Sequence, residues 1–462
     1  MGDFQDTICA IATAPGNGAI AVIRLSGAES FRITEKIFKA KKKNLSLSQE
    51  KGYQIVFGDI LDQEEWIDEV LVSIFKAPHS YTGEDSIEIS CHGSQYIQEE
   101  ILRLLLQNGA RLANAGEFTQ RAFINGKMDL AQAEGVADLI AGESKAMHQL
   151  ASTQIKGGFS KELEKLRNEM LQFISLIELE LDFSEEDVTF ADRTQLKKVL
   201  GKINKILSPL VQSFKYGNAI KNGINVAIIG KPNVGKSTLL NQILQEEKAI
   251  VSAQAGTTRD IIEDTLSIDG FLFRFIDTAG LRETEDAIEK IGIEKAYQKI
   301  SKAKIILLLV DARDDLNEIQ KQYEEIRQHI NEQTLMLLLN KTDLAKILSI
   351  KEIQGSIKDA EILSISAKNS ADIHKLEQKL LGIIQKEKNN SNIIISNIRH
   401  YEALKNAEEA IDRVKNNLSS EIPTDLLAMD LREAIRFVGE ITGNISDNEI
   451  LGNIFKNFCI GK

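Results

Sequence analysis

The stretch Val226–Thr238, Val-Ala-Ile-Ile-Gly-Lys-Pro-Asn-Val-Gly-Lys-Ser-Thr, decides the fold of the region around it. An apolar run typical of a buried strand comes first. The segment from Gly230 to Ser237 then fits Gly-x-x-x-x-Gly-Lys-Ser/Thr without a mismatch. Apolar residues recur at helical spacing immediately afterwards, at Leu239, Leu240, Ile243 and Leu244. A strand, a glycine-rich loop and a helix in this order predict a phosphate-binding loop in a parallel α/β sheet.

The residues of this loop have separate roles in a nucleotide site. Glycines let main-chain N–H groups curl around phosphate oxygens, and the following helix adds its positive N-terminal end. We expect Lys236 to reach the β- and γ-phosphates and the Ser237 hydroxyl to bind Mg²⁺. The predicted nucleotide contacts here are Asn233, Val234, Gly235, Lys236, Ser237 and Thr238. The alternative is a glycine-rich turn without a ligand, which the flanking strand and helix disfavour.

Two later motifs indicate that the base is guanine. Asn340-Lys341-Thr342-Asp343 directly follows a predicted strand, 335–339. The Asp343 carboxylate can accept hydrogen bonds from guanine N1–H and N2–H₂, whereas adenine presents acceptors at those places. Ser366-Ala367-Lys368 follows the next predicted strand and fits the loop that supports guanine. The predicted base contacts are Asn340, Lys341, Asp343, Ser366, Ala367 and Lys368.

Two further segments predict the parts of a GTPase that respond to the γ-phosphate. In Asp277-Thr278-Ala279-Gly280, Asp277 would hold Mg²⁺ through water and the Gly280 N–H would contact the γ-phosphate. In Gly256-Thr257-Thr258-Arg259-Asp260, Thr258 would bind Mg²⁺ directly. Together with the phosphate loop, these motifs resemble GTPases of the translation-factor-related class.

The residue that orients the attacking water is not obvious from this resemblance. Leu281 stands just after Gly280, where many GTPases keep a glutamine, and leucine cannot orient water. Our candidate is Glu289, in the acidic stretch 283–289. An equal alternative is that all these acids are solvated switch residues.

A potassium ion is implied by Asn233 in the phosphate loop. In related GTPases an asparagine at this position ligates K⁺, which lies against the phosphates like an arginine finger. Main-chain carbonyls of the segment 252–257 would complete the site. The resemblance thus implies potassium ligands Asn233, Ser252, Gln254 and Thr257, and adds Ser252, Ala253, Gln254, Ala255, Gly256, Thr257 and Thr258 to the GTP contacts.

Length and composition favour a large globular protein. The 462 residues predict about three domains, and 27% charged with 43% hydrophobic residues is an ordinary globular mixture. No apolar run approaches the ~20 residues of a membrane span. Three cysteines make no disulfide framework, which favours a reducing cytoplasm. The net charge of −12 implies that any bound RNA needs a local basic patch or a basic partner. The cluster Lys39–Lys43 is interpreted as a solvated loop rather than an RNA contact.

Three domains are predicted along the chain. Residues 1–127 predict a compact α+β domain, with strands at 54–60, 69–75 and 86–91 and helices at 31–38 and 95–107. Gly16–Ala21 fits a loose Gly-x-Gly-x-x-Gly/Ala fingerprint. The residues after it are β-branched and few, which favours a glycine-rich hairpin at 4–25 over a nucleotide site.

The remaining residues predict an α/β domain inserted into a helical one. Residues 128–220 and 384–462 keep helical spacing and predict one all-α domain. Residues 221–383 predict a P-loop GTPase domain with a parallel sheet, whose strands lie at 226–229, 272–276, 305–310, 335–339 and 362–365. The acidic stretch 182–187 is expected in an exposed loop or helix end.

The last five residues indicate which family of GTPases this chain resembles. The chain ends Phe458-Cys459-Ile460-Gly461-Lys462, and its glycine and final lysine disfavour prenylation of the cysteine. This end resembles the tail of the tRNA-modification GTPases of the MnmE (TrmE) family, and the resemblance covers essentially the whole chain. Further segments that carry it are Ser80–Asp85, His92-Gly93, Gly116–Thr119, Arg121–Phe123, Asp129–Glu134, Asp277–Arg282 and Ile291–Glu294. Gly135 departs from it, since alanine is expected there.

The resemblance implies a reaction, cofactors and partners. Such proteins act as homodimers with the flavin (FAD)-dependent partner MnmG, in a heterotetramer-type complex. They form an aminomethyl or carboxymethylaminomethyl group at C5 of the wobble uridine in certain tRNAs. The N-terminal domain would hold 5-formyltetrahydrofolate or another one-carbon tetrahydrofolate and would dimerise. The matching folate positions are Arg24, Glu88, Lys127 and Lys462.

The cysteines are interpreted separately. Cys459 lies near a lysine and is a plausible nucleophile or redox group, which the resemblance makes catalytic. The alternative is a structural cysteine packed beside Phe455 and Phe458. Cys9 and Cys91 are expected in the core.

The competing hypothesis is a regulatory switch GTPase of ribosome assembly. It accounts for the nucleotide motifs but not for the folate-like N-terminal domain or the terminal cysteine.

Overall fold

The computed structural model forms two compact units. One comprises Met1–Ala141, Ala151–Leu200 and Glu409–Lys462, and the other comprises Gly142–Leu150 and Gly201–Glu408. The structure describes residues 6–182, 193–245, 264–276, 301–344, 350–357, 361–388, 393–418, 424–444, 451, 454–456, 458 and 461.

A seven-stranded sheet organises the N-terminal residues, in the order β3-β4-β5-β6-β2-β1-β7. Neighbouring strands are antiparallel except β1 and β7, which are parallel. The strands are β1 Ile8–Ile11, β2 Ile20–Ser26, β3 Phe38–Ala40, β4 Gln54–Asp62, β5 Glu65–Phe75, β6 Ser86–His92 and β7 Arg111–Leu112.

Helices cover one face of this sheet, because alternate strand residues are apolar and need a buried partner. Side chains such as Val72, Ile87 and Ile89 pack against α1 (Ser30–Ile37) and α2 (Gln95–Gln107). On the opposite face, Phe118 of α3 (Glu117–Ile124) packs on Ile8 and Ala10 of β1. The α+β prediction for this region is confirmed.

The predicted hairpin at the start of the chain is also confirmed. β1 and β2 pair antiparallel from Ile8↔Ser26 to Ile11↔Ile23, so the glycines between them turn the chain and do not open a helix. The predicted helix at 95–107 matches α2, and the three predicted strands lie inside β4, β5 and β6. The sequence interpretation missed β3, β7 and α3, which are short.

Long helices follow, as the spacing of apolar residues predicts. Within the described residues their bounds are α4 Leu130–Ala141, α5 Lys145–Ile155, α6 Gly158–Asp182, α7 Arg193–Asn222, α12 Ile398–Leu418 and α13 Thr424–Thr442. No helix in the described ranges is long and apolar enough to span a bilayer. The acidic stretch begins at the last residue of α6, and 183–187 lie outside the described residues.

The second sheet has six strands in the order β13-β12-β11-β8-β10-β9. Its strands are β8 Ile224–Ile229, β9 Asp264–Ile268, β10 Phe271–Phe275, β11 Ile305–Asp311, β12 Thr334–Asn340 and β13 Glu361–Ser364. Its helices are α8 Lys236–Gln245, α9 Leu316–Arg327, α10 Ile350–Ser356 and α11 Ser370–Gln385.

Both faces of this sheet are covered, as expected for strands made of continuous apolar runs. Leu307 and Leu309 of β11 pack in the core that contains residues of α8 and α11. Ile306 and Leu308 face the other core, with residues of α9 and α10. All pairings are parallel except that of β9 with β10, so the α/β prediction is confirmed. The antiparallel strand β9 was missed.

Candidate functional site

The loop between β8 and α8 requires glycine at two positions. Gly230 has φ +154° and Gly235 has φ +103°, a region that residues with a side chain rarely adopt. A Cβ on Gly230 would lie 2.2 Å from the Leu309 carbonyl oxygen. A Cβ on Gly235 would lie 2.3 Å from Nδ2 of Asn340. The loop therefore curls tightly at the carboxyl ends of β8 and β11.

Lys236 is the first residue of α8, and its side chain folds back over the loop. Its Nζ donates hydrogen bonds to the carbonyl oxygens of Gly230 at 2.8 Å and Lys231 at 2.7 Å. Asn233 is exposed with φ +61°, Val234 is buried, and Ser237 is exposed in the first turn of the helix. The ammonium and the helix N-terminus thus lie at one positive, accessible place that suits an anion.

Asn340 connects this loop to the loop after β13. Its Nδ2 donates to the Val234 carbonyl at 2.7 Å, and its Oδ1 accepts from the Ala367 N–H at 2.9 Å. The residue is 2% exposed. Asn340 therefore fixes the distance between the predicted phosphate contacts and the predicted base contacts.

Lys341 makes a second connection, with φ +64°. Its Nζ donates to the Asn233 carbonyl at 2.6 Å and lies 2.9 Å from Oδ2 of Asp311. Hydrogen bonds from the Arg313 guanidinium, and then from Lys341, hold the pKa of Asp311 well below its ordinary value. Sequence reasoning missed Asp311 and Arg313. The available signal is that Asp311 ends a buried strand at the same edge of the sheet.

The remaining predicted base contacts follow β12 and β13. Asp343 is exposed, three residues beyond the end of β12. Ser366 and Ala367 are buried and Lys368 is exposed. The Ser366 N–H donates to Oδ2 of Asp372 at 3.0 Å, which holds this loop against the start of α11. The described part of the predicted site thus comes from three loops at one edge of the sheet.

Several predicted residues lie outside the described residues, so the structure does not place them. They are Ser252, Ala253, Gln254, Ala255, Gly256, Thr257, Thr258, Asp277, Thr278, Ala279, Gly280, Glu289, Cys459 and Lys462.

A second group of predicted site residues, Arg24 and Glu88, lies on the first sheet. These residues are register partners on β2 and β6. Arg24 Nε and Nη2 lie 2.9 and 2.7 Å from Oε1 of Glu88, and the guanidinium lies 5.5 Å from the ring centre of Tyr81. Glu88 Oε2 has no hydrogen-bond partner among the described residues. A partly buried ion pair therefore keeps one free acceptor.

The C-terminal residues approach this pair. Arg24 Nη1 donates to the Gly461 carbonyl at 3.3 Å. Gly461 is buried, with φ +94°, and a Cβ there would lie 2.4 Å from the Ile11 carbonyl oxygen. Lys127 makes a different contact, since its Nζ donates to the Pro78 carbonyl at 2.8 Å. The structure thus brings Arg24, Glu88 and the chain end together, with Lys127 held by Pro78.

A buried charge network supports this region. Arg121 is fully buried, and its guanidinium bonds to Oδ1 of Asp6 at 2.7 Å and Oε1 of Glu117 at 3.0 Å. Its Nη1 lies 3.3 Å from Glu84, whose Oε2 accepts from Ser26 at 2.6 Å. The sequence interpretation quoted several of these residues for their resemblance but assigned them no role.

Two cysteines lie in the core, as expected. Burial raises the pKa of Cys9 to about 12 and that of Cys91 to about 11. Both thiols therefore stay protonated near neutral pH and are poor nucleophiles.

The outer face of β4 and β5 carries an apolar patch. Ile55, Phe57, Trp66 and Leu71 are 67%, 48%, 60% and 45% exposed. Phe57 and Leu71 are direct register partners. Exposed apolar side chains grouped on one face often mark interaction sites.

Comparisons with known proteins indicate one and the same family along nearly the whole chain. A model of the MnmE helical domain matches residues 130–459, and a model described as the GTP-binding protein TrmE N-terminus matches residues 7–127. A tRNA modification GTPase MnmE from Bacteroides thetaiotaomicron is 53% identical over 99% of this chain and 100% of its own length. A protein of the same name from Parabacteroides distasonis is 51% identical over 99% and 100%.

One solved structure among those found is the FeoB G-domain from Methanococcus jannaschii. It is 29% identical over 35% of this chain and 98% of that chain, with a TM-score of 0.26, which is too low to support an argument. The two family models and the full-length relatives decide the assignment. This chain belongs to the MnmE family of tRNA modification GTPases.

Proposed function

We propose that this chain is a GTP-hydrolysing enzyme of tRNA modification in the cytoplasm. It acts with a flavin-dependent partner to build an aminomethyl or carboxymethylaminomethyl group at C5 of the wobble uridine. The observation that carries the GTP assignment is the position of Asn340. Its side chain joins the glycine loop to the loop after β13, so phosphate and guanine contacts are held at one sheet edge.

The described loop suits the binding of a nucleoside triphosphate with Mg²⁺. Lys236 and the N-terminus of α8 supply positive charge, and the exposed Ser237 hydroxyl in the first helical turn is a hard oxygen ligand that Mg²⁺ accepts. Mg²⁺ bound there would neutralise charge on the β- and γ-phosphates. Thr258 would be a further ligand, and Asp277 would hold the ion through water.

A potassium ion would bind beside the same phosphates. Asn233 is exposed on the loop and has a left-handed backbone conformation. We assign it to K⁺ together with Ser252, Gln254 and Thr257. Glu289 would orient the attacking water.

A one-carbon tetrahydrofolate would bind at Arg24 and Glu88. Oε2 of Glu88 has no hydrogen-bond partner in the described part of the chain and suits N–H donors of a pterin ring, whereas basic side chains suit a glutamate tail. We assign that second role to Lys127 and Lys462. Cys459 would act in the modification step. Its assignment is supported by Gly461, two residues later, which contacts Arg24.

The protein would work as a homodimer bound to MnmG in a heterotetramer-type complex. The apolar patch on β4 and β5 supports a dimer contact, because burying its four exposed apolar side chains against a second chain would remove apolar surface from water. We assign residues 1–127 to folate binding and dimerisation. Residues 128–220 with 384–462 form the helical domain, and 221–383 form the GTPase domain.

Mass spectrometry of tRNA nucleosides tests this function. Cells with a deletion, with Cys459→Ser, and with the intact chain are compared for C5-modified wobble uridine. Loss of the modification in both altered strains supports the enzyme and the thiol. Loss in the deletion alone supports the enzyme and removes Cys459 from the chemistry. Unchanged modification in the deletion strain overturns the proposal in favour of a regulatory switch GTPase.

A further inference from the structure

Helix α7 carries an unusual charge for this chain. It spans Arg193–Asn222 and has 30 residues. Seven of them are basic and none is acidic: Arg193, Lys197, Lys198, Lys202, Lys205, Lys215 and Lys221. The whole chain has a net charge of −12, so the charge of this helix is opposite in sign to that of the chain. A local basic surface of this kind attracts polyanions even when the protein as a whole is acidic.

Five of these lysines share the solvent side of the helix. Lys198, Lys202 and Lys205 follow i, i+4 and i+7 spacing, and Lys197 and Lys215 extend the same side. All five are exposed. The opposite side is buried and apolar, with Leu196, Val199, Leu200, Ile203, Leu207 and Leu210 at most 6% exposed. We call these five residues the α7 lysine stripe. At 1.5 Å per residue it is about 27 Å long.

Most of the stripe lysines have no carboxylate partner in the described part of the chain. Among the described residues, the ammonium groups of Lys197, Lys198, Lys205 and Lys215 form no ion pair. Glu408 reaches the same helix, where its Oε1 accepts a hydrogen bond from Ser208 at 2.7 Å. The cluster at 39–43 differs, because Lys41 Nζ lies 2.8 Å from Asp59 and 3.1 Å from Glu69.

We propose that the α7 lysine stripe binds the phosphate backbone of tRNA, an inference that rests on the proposed function. The chemistry favours RNA over an acidic protein. Lysine is a flexible point charge that suits sequence-independent phosphate contacts. Protein interfaces are instead depleted of lysine and enriched in aromatic residues and arginine, and the stripe has neither. Lysines of the stripe replace counterions along the RNA strand, so the binding is strongly salt-dependent.

The test compares two matched variants of the full chain. The stripe variant carries Lys197→Gln, Lys198→Gln, Lys202→Gln and Lys205→Gln. The control carries Lys39→Gln, Lys41→Gln, Lys42→Gln and Lys43→Gln, which changes the net charge equally. The probe is a fluorescein-labelled unmodified tRNA transcript, and binding is followed by anisotropy between 50 and 200 mM KCl. GTP hydrolysis without tRNA reports whether each variant is folded.

We expect the stripe variant to bind at least tenfold more weakly at 100 mM salt. Its slope of log K against log salt should become shallower by about 3, from four lost phosphate contacts. Four lysine-to-arginine changes should restore both values. The control variant should bind like the parent chain.

Other results overturn the inference. Equal losses in both variants would mean that net charge alone matters. An unchanged tRNA slope with lost binding of the flavin-dependent partner would make the stripe a protein-docking surface. Absence of tRNA binding by the parent chain would also overturn it. The wobble-uridine measurement then tells whether the proposed function fails as well, because that measurement does not depend on α7.

Discussion

Asn340 Nδ2 donates a 2.7 Å hydrogen bond to the main-chain carbonyl of Val234, 106 residues away in the chain. The same amide accepts from Ala367, so one buried side chain sets the spacing of two loops. This relationship makes the geometry of the nucleotide site depend on the side chain of a residue that is also a predicted base contact.

The change Asn340→Ala should weaken nucleotide binding. It leaves the Val234 carbonyl and the Ala367 N–H unpaired, and each buried unpaired group costs about 1–3 kcal/mol. We expect at least a tenfold loss of affinity for fluorescent GDP in a titration. The control is Asn406→Ala, an exposed position on α12, which should bind like the parent chain. Parental affinity in Asn340→Ala would refute this role.

The change Gly235→Ala should also abolish tight nucleotide binding. The new methyl group would meet Asn340 Nδ2 at 2.3 Å, at a φ of +103°. Backbone strain of this kind costs about 1–3 kcal/mol before any clash is counted. Gly382→Ala is the matched control, since nothing lies within 4 Å of its added Cβ in α11. We expect that control to bind normally and to stabilise the helix by about 0.5–1 kcal/mol.

Acid should destabilise the first sheet through the Arg121 network. Burial alone would raise the pKa of Glu117, but hydrogen bonds from Arg111, Asn114 and Arg121 outweigh it and hold the pKa below its ordinary value. The hydrogen bond from Arg111 likewise lowers the pKa of Asp6. Both carboxylates thus stabilise the fold above an unfolded-state pKa of about 4, and this contribution is lost as pH falls through the lower folded values.

Calorimetry checks this network. Arg121→Met should cost about 3–5 kcal/mol at neutral pH, because it removes the buried cation beside Glu117 and Glu84 and leaves them with Arg111 and Ser26 as partners. Its unfolding midpoint should then fall less steeply with acid than that of the parent. Arg103→Met is the control, since its guanidinium is 40% exposed and its pairs with Glu100 and Asp62 are worth about 0–1 kcal/mol. Equal losses in the two variants would contradict the importance of burial.

The change Phe57→Asp should separate the proposed dimer. A charge at the centre of the apolar patch would have to be buried by the partner chain, which is strongly unfavourable. Light scattering should give a mass near 51.4 kDa for this variant and about twice that for the parent. Tyr96→Asp changes a 63% exposed aromatic residue on α2 and should remain dimeric. A dimeric Phe57→Asp protein would move the contact elsewhere.

Much of the fold could be predicted because periodic apolar residues report burial directly. The helix at 95–107 was predicted to the residue, since its apolar positions recur over three turns. β3 has three residues, too few for a period to show. β9 was overlooked although Asp269-Gly270, both with positive φ, forms the two-residue turn to β10 that such sequences favour.

The loop at 230–237 was predictable because a local motif carries its chemistry. Arg24 and Glu88 were named only through the family resemblance, and their contact joins residues 64 positions apart. Register between strands sets such a contact, and one sequence does not contain it. The ion pair of Arg121 could not be predicted from the sequence either, because its partner Asp6 is 115 residues away. Long-range ion pairs depend on the completed fold.

Trp66 can serve as an intrinsic fluorescence probe of this chain. It is the single tryptophan in the sequence, and it lies 60% exposed on the outer face of β5, with its Nε1 donating to Asp59 at 3.2 Å. All indole emission therefore arises beside the apolar patch. Association of two chains through that face would shield the ring from water and shift the emission to shorter wavelength. Assembly of the protein can thus be followed in unlabelled solution, separately from nucleotide turnover.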